Sequence, residues 1–199
     1  MSEHYYTPRP SAEHAEASFS TKLRGMDFNF VTDAAVFSRG KVDAGSTLLI
    51  EVIEIASSDT VLDMGCGYGP IGIAAARMAT HGRVYMVDVN ERAAGLARRN
   101  LAHNGVANAE VRVGDGTGPV PGIVFDHVLT NPPVRAGKSV IYRMVDEAHA
   151  ALRPGGSLWV VIQTKQGAPS MKKKLEQRFG NVKDVERESG YHVFRAVRT

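Results

Sequence analysis

The sequence has few of the features that mark several large classes of protein. One of its 199 residues is cysteine, Cys66, which excludes a framework of internal disulfides. The longest apolar stretches, such as residues 158–162, are far too short to cross a membrane. The first residues lack the succession of basic, apolar and small residues of a secretory signal peptide. We therefore expect a soluble, cytoplasmic domain without a membrane partner.

Charge and histidine content restrict the ligands only weakly. The formal net charge is +3, which permits an acidic or nucleic-acid partner without requiring one. The 7 histidines include no pair at the spacing of metal ligands, so we predict no metal site. The sequence does not indicate an oligomeric state.

Apolar patterning predicts one domain of alternating strands and helices. Residues 1–18 have no clear period and are predicted to form a poorly ordered arm, and residues 19–199 a single domain. A doubly wound, mainly parallel α/β sheet of seven strands follows from the alternation, with a hairpin of 182–187 and 191–197 adding an antiparallel strand. The other predicted strands are 28–32, 61–64, 83–89, 110–113, 125–130 and 157–163. The first predicted helix starts at Ser46, and the others cover 71–78, 91–103, 140–152 and 170–179. A turn is predicted at Pro154-Gly155-Gly156.

A glycine-rich loop joins the strand 61–64 to the next helix. Ligands of open parallel sheets bind at such loops, beyond the carboxyl ends of the strands. Gly67, Gly69 and Gly72 have the G-x-G-x-x-G spacing of dinucleotide sites, and Asp88 lies about twenty residues further on, where a ribose-binding acid is expected. Asp63 argues against a dinucleotide, because its carboxylate would lie near a pyrophosphate and repel it. The same carboxylate would attract the ammonium and sulfonium groups of S-adenosylmethionine.

Asn131-Pro132-Pro133 follows the strand 125–130 and is suited to chemistry on a planar amine. The lone pair of such an amine is delocalised, and two acceptors that bind its N–H groups can turn the lone pair toward a methyl donor. The Asn131 side chain and the Pro132 backbone carbonyl can be those acceptors, since the prolines make the loop rigid and remove donors. A stiff turn without chemistry is the alternative.

Together, these motifs resemble the class I S-adenosylmethionine-dependent methyltransferases, which have a Rossmann-like fold. The residues concerned are Asp63-x-Gly65-x-Gly67-x-Gly69, Asp88, Asn131-Pro132-Pro133 and the segment 36–46. Within that superfamily the sequence is similar to the small-methyltransferase-domain group of ribosomal RNA small-subunit guanine-N2 methyltransferases, in their short single-domain form.

The resemblance implies a role for each matching residue. The residues expected at the cofactor are Asp63, Gly65 and Gly67 for its methionine part, Asp88 and Asn90 for its ribose, and Asp115 and Gly116 for its adenine. Asn131 and Pro132 would be catalytic, and the substrate would meet Pro133, Val134, Arg135, Lys138 and Phe37. Asp88 has a second interpretation as the N-cap of the helix near Glu91, and Asp115-Gly116 one as a simple turn.

Val134 is a departure from the family, because many relatives have an aromatic ring there that stacks on the substrate base. Phe37 and Arg135 are the candidates to replace that ring. Arg135, Lys138, Arg39 and Lys41 flank the predicted site and would meet RNA phosphates or be solvated surface charges. Ribosomal RNA is thus the expected partner.

The resemblance leaves other acceptors and functions open. Asn-Pro-Pro loops also serve methylation of adenine N6 and of protein glutamine, since all three acceptors are planar amines or amides. A non-catalytic scaffold that binds S-adenosylmethionine is a further alternative, and it would not need Asn131.

Overall fold

The computed structural model describes residues 15–34, 36, 38 and 40–199. In this part of the chain nine strands and five α-helices follow one another. The strands are β1 (Ala17–Leu23), β2 (Met26–Thr32), β3 (Thr60–Met64), β4 (Arg83–Asp88), β5 (Ala109–Val113), β6 (Phe125–Thr130), β7 (Leu152–Gln163), β8 (Lys183–Glu188) and β9 (Tyr191–Val197). The helices are α1 (Ala44–Val52), α2 (Pro70–Met78), α3 (Glu91–His103), α4 (Lys138–Ala151) and α5 (Ala168–Phe179). None of the helices in these ranges is long and apolar enough to span a membrane.

Seven strands form one sheet in the order β5-β4-β3-β6-β7-β9-β8, in which β9 runs antiparallel to both of its neighbours. The other pairs are parallel. The predicted doubly wound sheet with its C-terminal antiparallel hairpin is therefore confirmed. The chain winds outward from β3 to β5 and then continues from β6 in the other direction, so the loops after β3 and β6 border one crevice.

Apolar side chains fill both faces of this sheet. Val61 in β3 packs into a core formed with α1, α2 and α3. Its neighbour Leu62 points to the opposite face, into a core formed with α4 and α5. This two-sided burial explains why consecutive residues at the centre of the sheet are apolar, Val61 and Leu62 in β3 and Val128 and Leu129 in β6.

The remaining two strands, β1 and β2, form a separate antiparallel hairpin. Its turn is Arg24-Gly25, where both residues have positive φ, 47° and 74°. We predicted a strand at 28–32 but assigned Ala17 and Ser18 to the arm, whereas the structure places both in β1. Residues 1–14 of the predicted arm lie outside the described residues.

Side chains of α3, of its C-cap Asn104 and of α2 bind the edge of β2 that faces away from β1. The Asn100 carboxamide accepts from the Val31 N–H at 2.8 Å and donates to the Val31 carbonyl at 3.0 Å. Asn104 forms the same pair of bonds with Asn29, at 2.9 and 2.8 Å. Arg77 Nη1 donates to the next outward carbonyl, that of residue 27, at 2.8 Å. These bonds attach the hairpin to the main domain.

The tip of the hairpin also holds the C-terminal end of α1. Arg24 Nη1 donates to the carbonyls of Ile50 and Ile53 at 3.1 and 2.7 Å. A cation in this position satisfies carbonyls that have no partner within the helix and interacts favourably with the helix dipole.

Several predicted boundaries differ from the structure, most by one or two residues, and two of the differences have an identifiable cause. The predicted turn Pro154-Gly155-Gly156 lies inside β7, whose first residues extend the strand beyond the core. Helix α1 begins at Ala44, two residues before the predicted start, because Asp43 caps its first turn.

Candidate active site

The loop between β3 and α2 folds over the end of β4. The N–H groups of Gly65 and Cys66 both donate to the Val87 carbonyl, at 2.8 and 3.0 Å. Gly65, Gly67 and Gly69 have φ values of 81°, 58° and 102°, which residues with a side chain rarely adopt. The glycine pattern seen in the sequence is therefore needed for the path of this loop.

Asp63 lies beneath the loop and is fully buried. Its Oδ2 accepts from the Gly72 N–H at 2.7 Å, and its Oδ1 has no hydrogen-bond partner among the described residues. The pKa of Asp63 is raised to about 7, mainly by burial; the Gly72 bond lowers it in part, and the nearby Asp88 carboxylate adds to the rise. A Cβ on Gly72 would lie 2.9 Å from Asp63 Oδ2, so this close approach requires glycine. Asp63 thus supports the loop from inside the protein.

Asp88, at the end of β4, connects the glycine loop to the start of α3. Its Oδ2 accepts from the Gly67 N–H and its Oδ1 from the Asn90 N–H, both at 2.8 Å. Burial raises the pKa of Asp88, while these two backbone bonds act in the opposite direction. Asn90 is the N-cap of α3, with its Oδ1 accepting from the N–H groups of the first turn. The capping role considered for Asp88 therefore belongs to Asn90.

The loop after β5 brings Asp115 and Gly116 to the same edge. Arg143 of α4 binds Asp115 Oδ2 at 2.7 Å and Glu147 Oε1 at 2.6 Å. A Cβ on Gly116 would lie 1.7 Å from Glu147 Oε2, and Gly116 has a φ of 56°. The loop is thus anchored to α4, and the positive φ of Gly116 and the nearby Glu147 carboxylate both disfavour a side chain at this position.

Asn131-Pro132-Pro133 continues from β6, which is tied to β3 by a bond of 2.8 Å from Thr130 Oγ1 to the Met64 carbonyl. The Pro133 carbonyl accepts from the Ala136 N–H at 2.8 Å. The Pro132 carbonyl has no such partner among the described residues. Its role as an acceptor for the substrate amine stays a prediction.

These loops enclose an open cleft of about 860 Å³ at the carboxyl ends of the strands. The cleft brings together most of the residues predicted at the cofactor and the acceptor, namely Gly65, Gly67, Asp88, Asn90, Asp115, Gly116, Asn131, Pro132 and Pro133.

Four of the predicted site residues that the structure describes are not part of this lining. Asp63 is buried below it, and Val134 packs against the core next to α4 and α5. Arg135 and Lys138 are exposed beyond its rim. Phe37 lies outside the described residues, as does Arg39. Contacts of Phe37 and of the four residues outside the lining with a ligand stay predictions.

Asp43 and Ser46 line the cleft, although the sequence analysis did not assign them to it. Asn131 Nδ2 lies 3.2 Å from Asp43 Oδ2 and 3.1 Å from Ser46 Oγ. The available signal was an acid followed by serine at the start of an apolar helix, within the segment that carries the family resemblance. That pattern indicates a helix cap and does not reveal a contact with a residue 88 positions away.

Comparison with known proteins identifies related chains. The family model described as methyltransferase small domain matches residues 27–195. A ribosomal RNA large subunit methyltransferase G of Streptomyces avermitilis is 34% identical over 170 residues, which are 83% of this chain and 44% of that protein. A ribosomal RNA small subunit methyltransferase C of Alcanivorax borkumensis is 33% identical over 197 residues, and the match covers 95% of this chain and 58% of that protein. The chain thus spans about half the length of these two relatives.

Two further matches cover nearly all of this chain. An uncharacterised protein of Bacillus subtilis, YbxB, is 42% identical over 198 residues, which are 98% of each protein. Among solved structures, a T. thermophilus 16S rRNA N2 methyltransferase in complex with AdoMet and guanosine has a TM-score of 0.84 and 28% identity. That match covers 96% of this chain and 52% of the other. The family predicted from the sequence motifs is confirmed.

Proposed function

The chain belongs to the methyltransferase small-domain family, and on that basis we propose that it methylates an exocyclic base amine of ribosomal RNA. The methyl donor is S-adenosylmethionine, and guanine N2 is the acceptor that we propose. One observation carries this proposal: Asn131-Pro132-Pro133 borders the same cleft as the glycine loop and Asp88. A methyl donor held by the loop and an amine held by Asn131 would therefore share one cavity.

The cleft has the chemistry that S-adenosylmethionine requires. Asp88 places a carboxylate at its edge, and each carboxylate oxygen retains a lone pair for a ribose hydroxyl after accepting one backbone N–H. Met64, Ile71 and Val89 contribute apolar lining for the less polar parts of the molecule. When bound, this cofactor supplies an electrophilic methyl group on a sulfonium sulfur.

Asn131 and Pro132 act on the acceptor. Each offers a carbonyl oxygen that accepts one N–H of the amine, which fixes the amine plane and turns the nitrogen lone pair toward the donor. The same two oxygens stabilise positive charge that develops on nitrogen as the new N–C bond forms. The amine then releases one proton to solvent, so positioning supplies much of the rate without a strong general base.

Exposed cations around the cleft support a nucleic-acid substrate. Lys41, Arg135, Lys138 and Lys165 are all exposed near the carboxyl ends of the strands. The ion pairs found in the described part of the chain include none of these four residues. Cations without carboxylate partners are free to bind phosphate groups. The names of the relatives also favour ribosomal RNA.

Transfer of a labelled methyl group tests the proposed function. The protein would be incubated with methyl-labelled S-adenosylmethionine and with total RNA or total protein from cells that lack it, followed by nucleoside and amino-acid analysis. We expect label in N2-methylguanosine of ribosomal RNA, and strongly reduced label with the Asn131→Ala variant. Label in N6-methyladenosine or in methylglutamine would replace guanine as the acceptor. Cofactor binding without transfer to any fraction would favour the scaffold function.

A further inference from the structure

Two side chains at the start of α1 accept hydrogen bonds from the Asn131 carboxamide. Its Nδ2 donates to Asp43 Oδ2 at 3.2 Å, to Asp43 Oδ1 at 3.4 Å and to Ser46 Oγ at 3.1 Å. Both residues belong to the first turn of this helix or its cap, and both line the cleft. The catalytic loop after β6 is therefore bonded to an element far away in the sequence.

Asp43 is itself fixed in place. Its Oδ1 accepts from the Gly45 N–H at 2.9 Å, and both of its oxygens lie 3.3 Å from the Ser46 N. The Tyr191 ring packs on this turn so closely that a Cβ on Gly45 would lie 2.6 Å from Tyr191 Cε1. Arg24 holds the other end of α1. The carboxylate is thus a rigid acceptor with one oxygen directed mainly at the backbone and the other at Asn131.

This arrangement decides which way the Asn131 carboxamide faces. A carboxylate only accepts hydrogen bonds, so the NH₂ group of Asn131 must face Asp43, and the oxygen must face away. With the carboxamide turned round, its oxygen would lie against the carboxylate and two acceptors would repel each other. Among the described residues no donor binds Asn131 Oδ1, which leaves this oxygen available in the cleft.

We propose that Asp43 is a positioning residue for methyl transfer, which orients the Asn131 carboxamide so that its oxygen binds the acceptor amine. The inference rests on the proposed function, because it assigns the orientation of the group that receives the amine. Ser46 assists through its hydroxyl. The inference also sets a condition at residue 131: an aspartate there would bring two carboxylates to about the distance of the present hydrogen bond, where they repel.

Exchange of the two side-chain types tests the proposal. Asp43→Ala should lower kcat by about 10- to 100-fold with a smaller change in the KM for RNA, because a preorganised acceptor loses its orientation. The kcat of the Asn131→Asp variant should fall at least as much. The double variant Asp43→Asn with Asn131→Asp should recover about tenfold or more over Asn131→Asp, since donor and acceptor are exchanged. In that double variant the new amide oxygen at position 43 can still cap α1, while the amide NH₂ donates to the new carboxylate at position 131.

Controls separate this effect from loss of fold and from failure of the proposed function. Asp27→Asn changes an exposed carboxylate on the hairpin and should leave kcat unchanged. Calorimetry should show that S-adenosylhomocysteine binds every variant within about threefold of the wild type, because Asn131 faces mainly the acceptor. Side-chain amide NMR of the wild type should show shifted Asn131 NH₂ signals that move toward free-amide values in Asp43→Ala.

The amide signals give an outcome even if the wild type methylates nothing. In that case the proposed function fails, and unchanged Asn131 signals in Asp43→Ala would overturn the positioning inference as well. If methyl transfer is observed, the inference is overturned by an Asp43→Ala variant with wild-type kcat, or by a double variant no more active than Asn131→Asp alone.

Discussion

A buried carboxylate such as Asp63 makes folding stability depend on pH. The pKa of Asp63 is raised from 3.8 to about 7 in the folded protein. Between these values the folded state keeps a proton that the unfolded chain has released, so protonation favours the folded state at low pH. The free energy of unfolding should therefore fall as pH rises through this window, by up to about 1.4 kcal/mol per pH unit.

Asp63→Asn should remove this pH dependence, because an amide does not titrate and its oxygen can still accept the Gly72 N–H. Urea unfolding at a series of pH values should give a wild-type free energy that decreases relative to the variant between about pH 4 and about pH 7. Above the folded pKa the difference should stay constant. Two parallel curves would show that Asp63 does not titrate in this way.

Asn131→Ala should lower turnover by about two to three orders of magnitude, the usual effect of removing one preorganised polar group from a transition state. Binding of S-adenosylhomocysteine should change much less, because Asn131 faces mainly the acceptor amine. Single-turnover transfer to RNA and calorimetry measure the two effects separately. If turnover is unchanged, the loop is a structural turn and Asn131 has no catalytic role.

At the scale of elements, the β1–β2 hairpin stabilises the helix that carries Asp43. Arg24→Ala would leave the carbonyls of Ile50 and Ile53 without their donor and remove a cation from the end of the helix. We expect a loss of about 1–2 kcal/mol in the free energy of unfolding, measured by urea titration. Lys22→Ala is a matched control, since this exposed cation lies 3.8 Å from its partner Asp27 and should contribute almost nothing. Equal effects of both variants would contradict the capping role.

The elements that the sequence predicted correctly have strong local patterns. The apolar strands β3 and β6 and the glycine loop after β3 are specified by neighbouring residues, so the cleft could be expected before the structure was known. β1 was missed because its alternation involves serine and threonine, which also resemble a loop. The bond from Asp43 to Asn131 joins residues 88 positions apart, and only the three-dimensional fold reveals it.

At the scale of the whole molecule, several exposed cations without an ion pair among the described residues lie beside the cleft. Arg83, Arg153 and Arg195 bind carboxylates on the body of the domain. Arg135 and Lys165, by contrast, follow the carboxyl ends of β6 and β7 and are exposed without an ion pair among the described residues. A modest net charge of +3 can thus produce a basic rim where the substrate would enter.

Replacing both Arg135 and Lys165 by alanine should weaken RNA binding and reduce its dependence on salt. If each cation contacts one phosphate, the slope of log affinity against log salt should fall by about 1 per cation removed. Lys183→Ala is the matched control, because Lys183 is exposed at the start of β8, toward the opposite edge of the sheet. Binding titrations at several salt concentrations measure the slopes, and equal slopes for all three proteins would exclude phosphate contacts at this rim.

Asn100 and Asn104, at the C-terminal end of α3, help to prevent self-association of the molecule. Four residues of a helix advance about 6 Å and two residues of a strand about 6.7 Å, so Asn100 and Asn104 match the repeat of the outward groups of β2. Together with Arg77 they occupy three successive outward carbonyls of that strand. A helix surface thus substitutes for a third strand, and this margin of β2 is closed to the intermolecular pairing that begins aggregation.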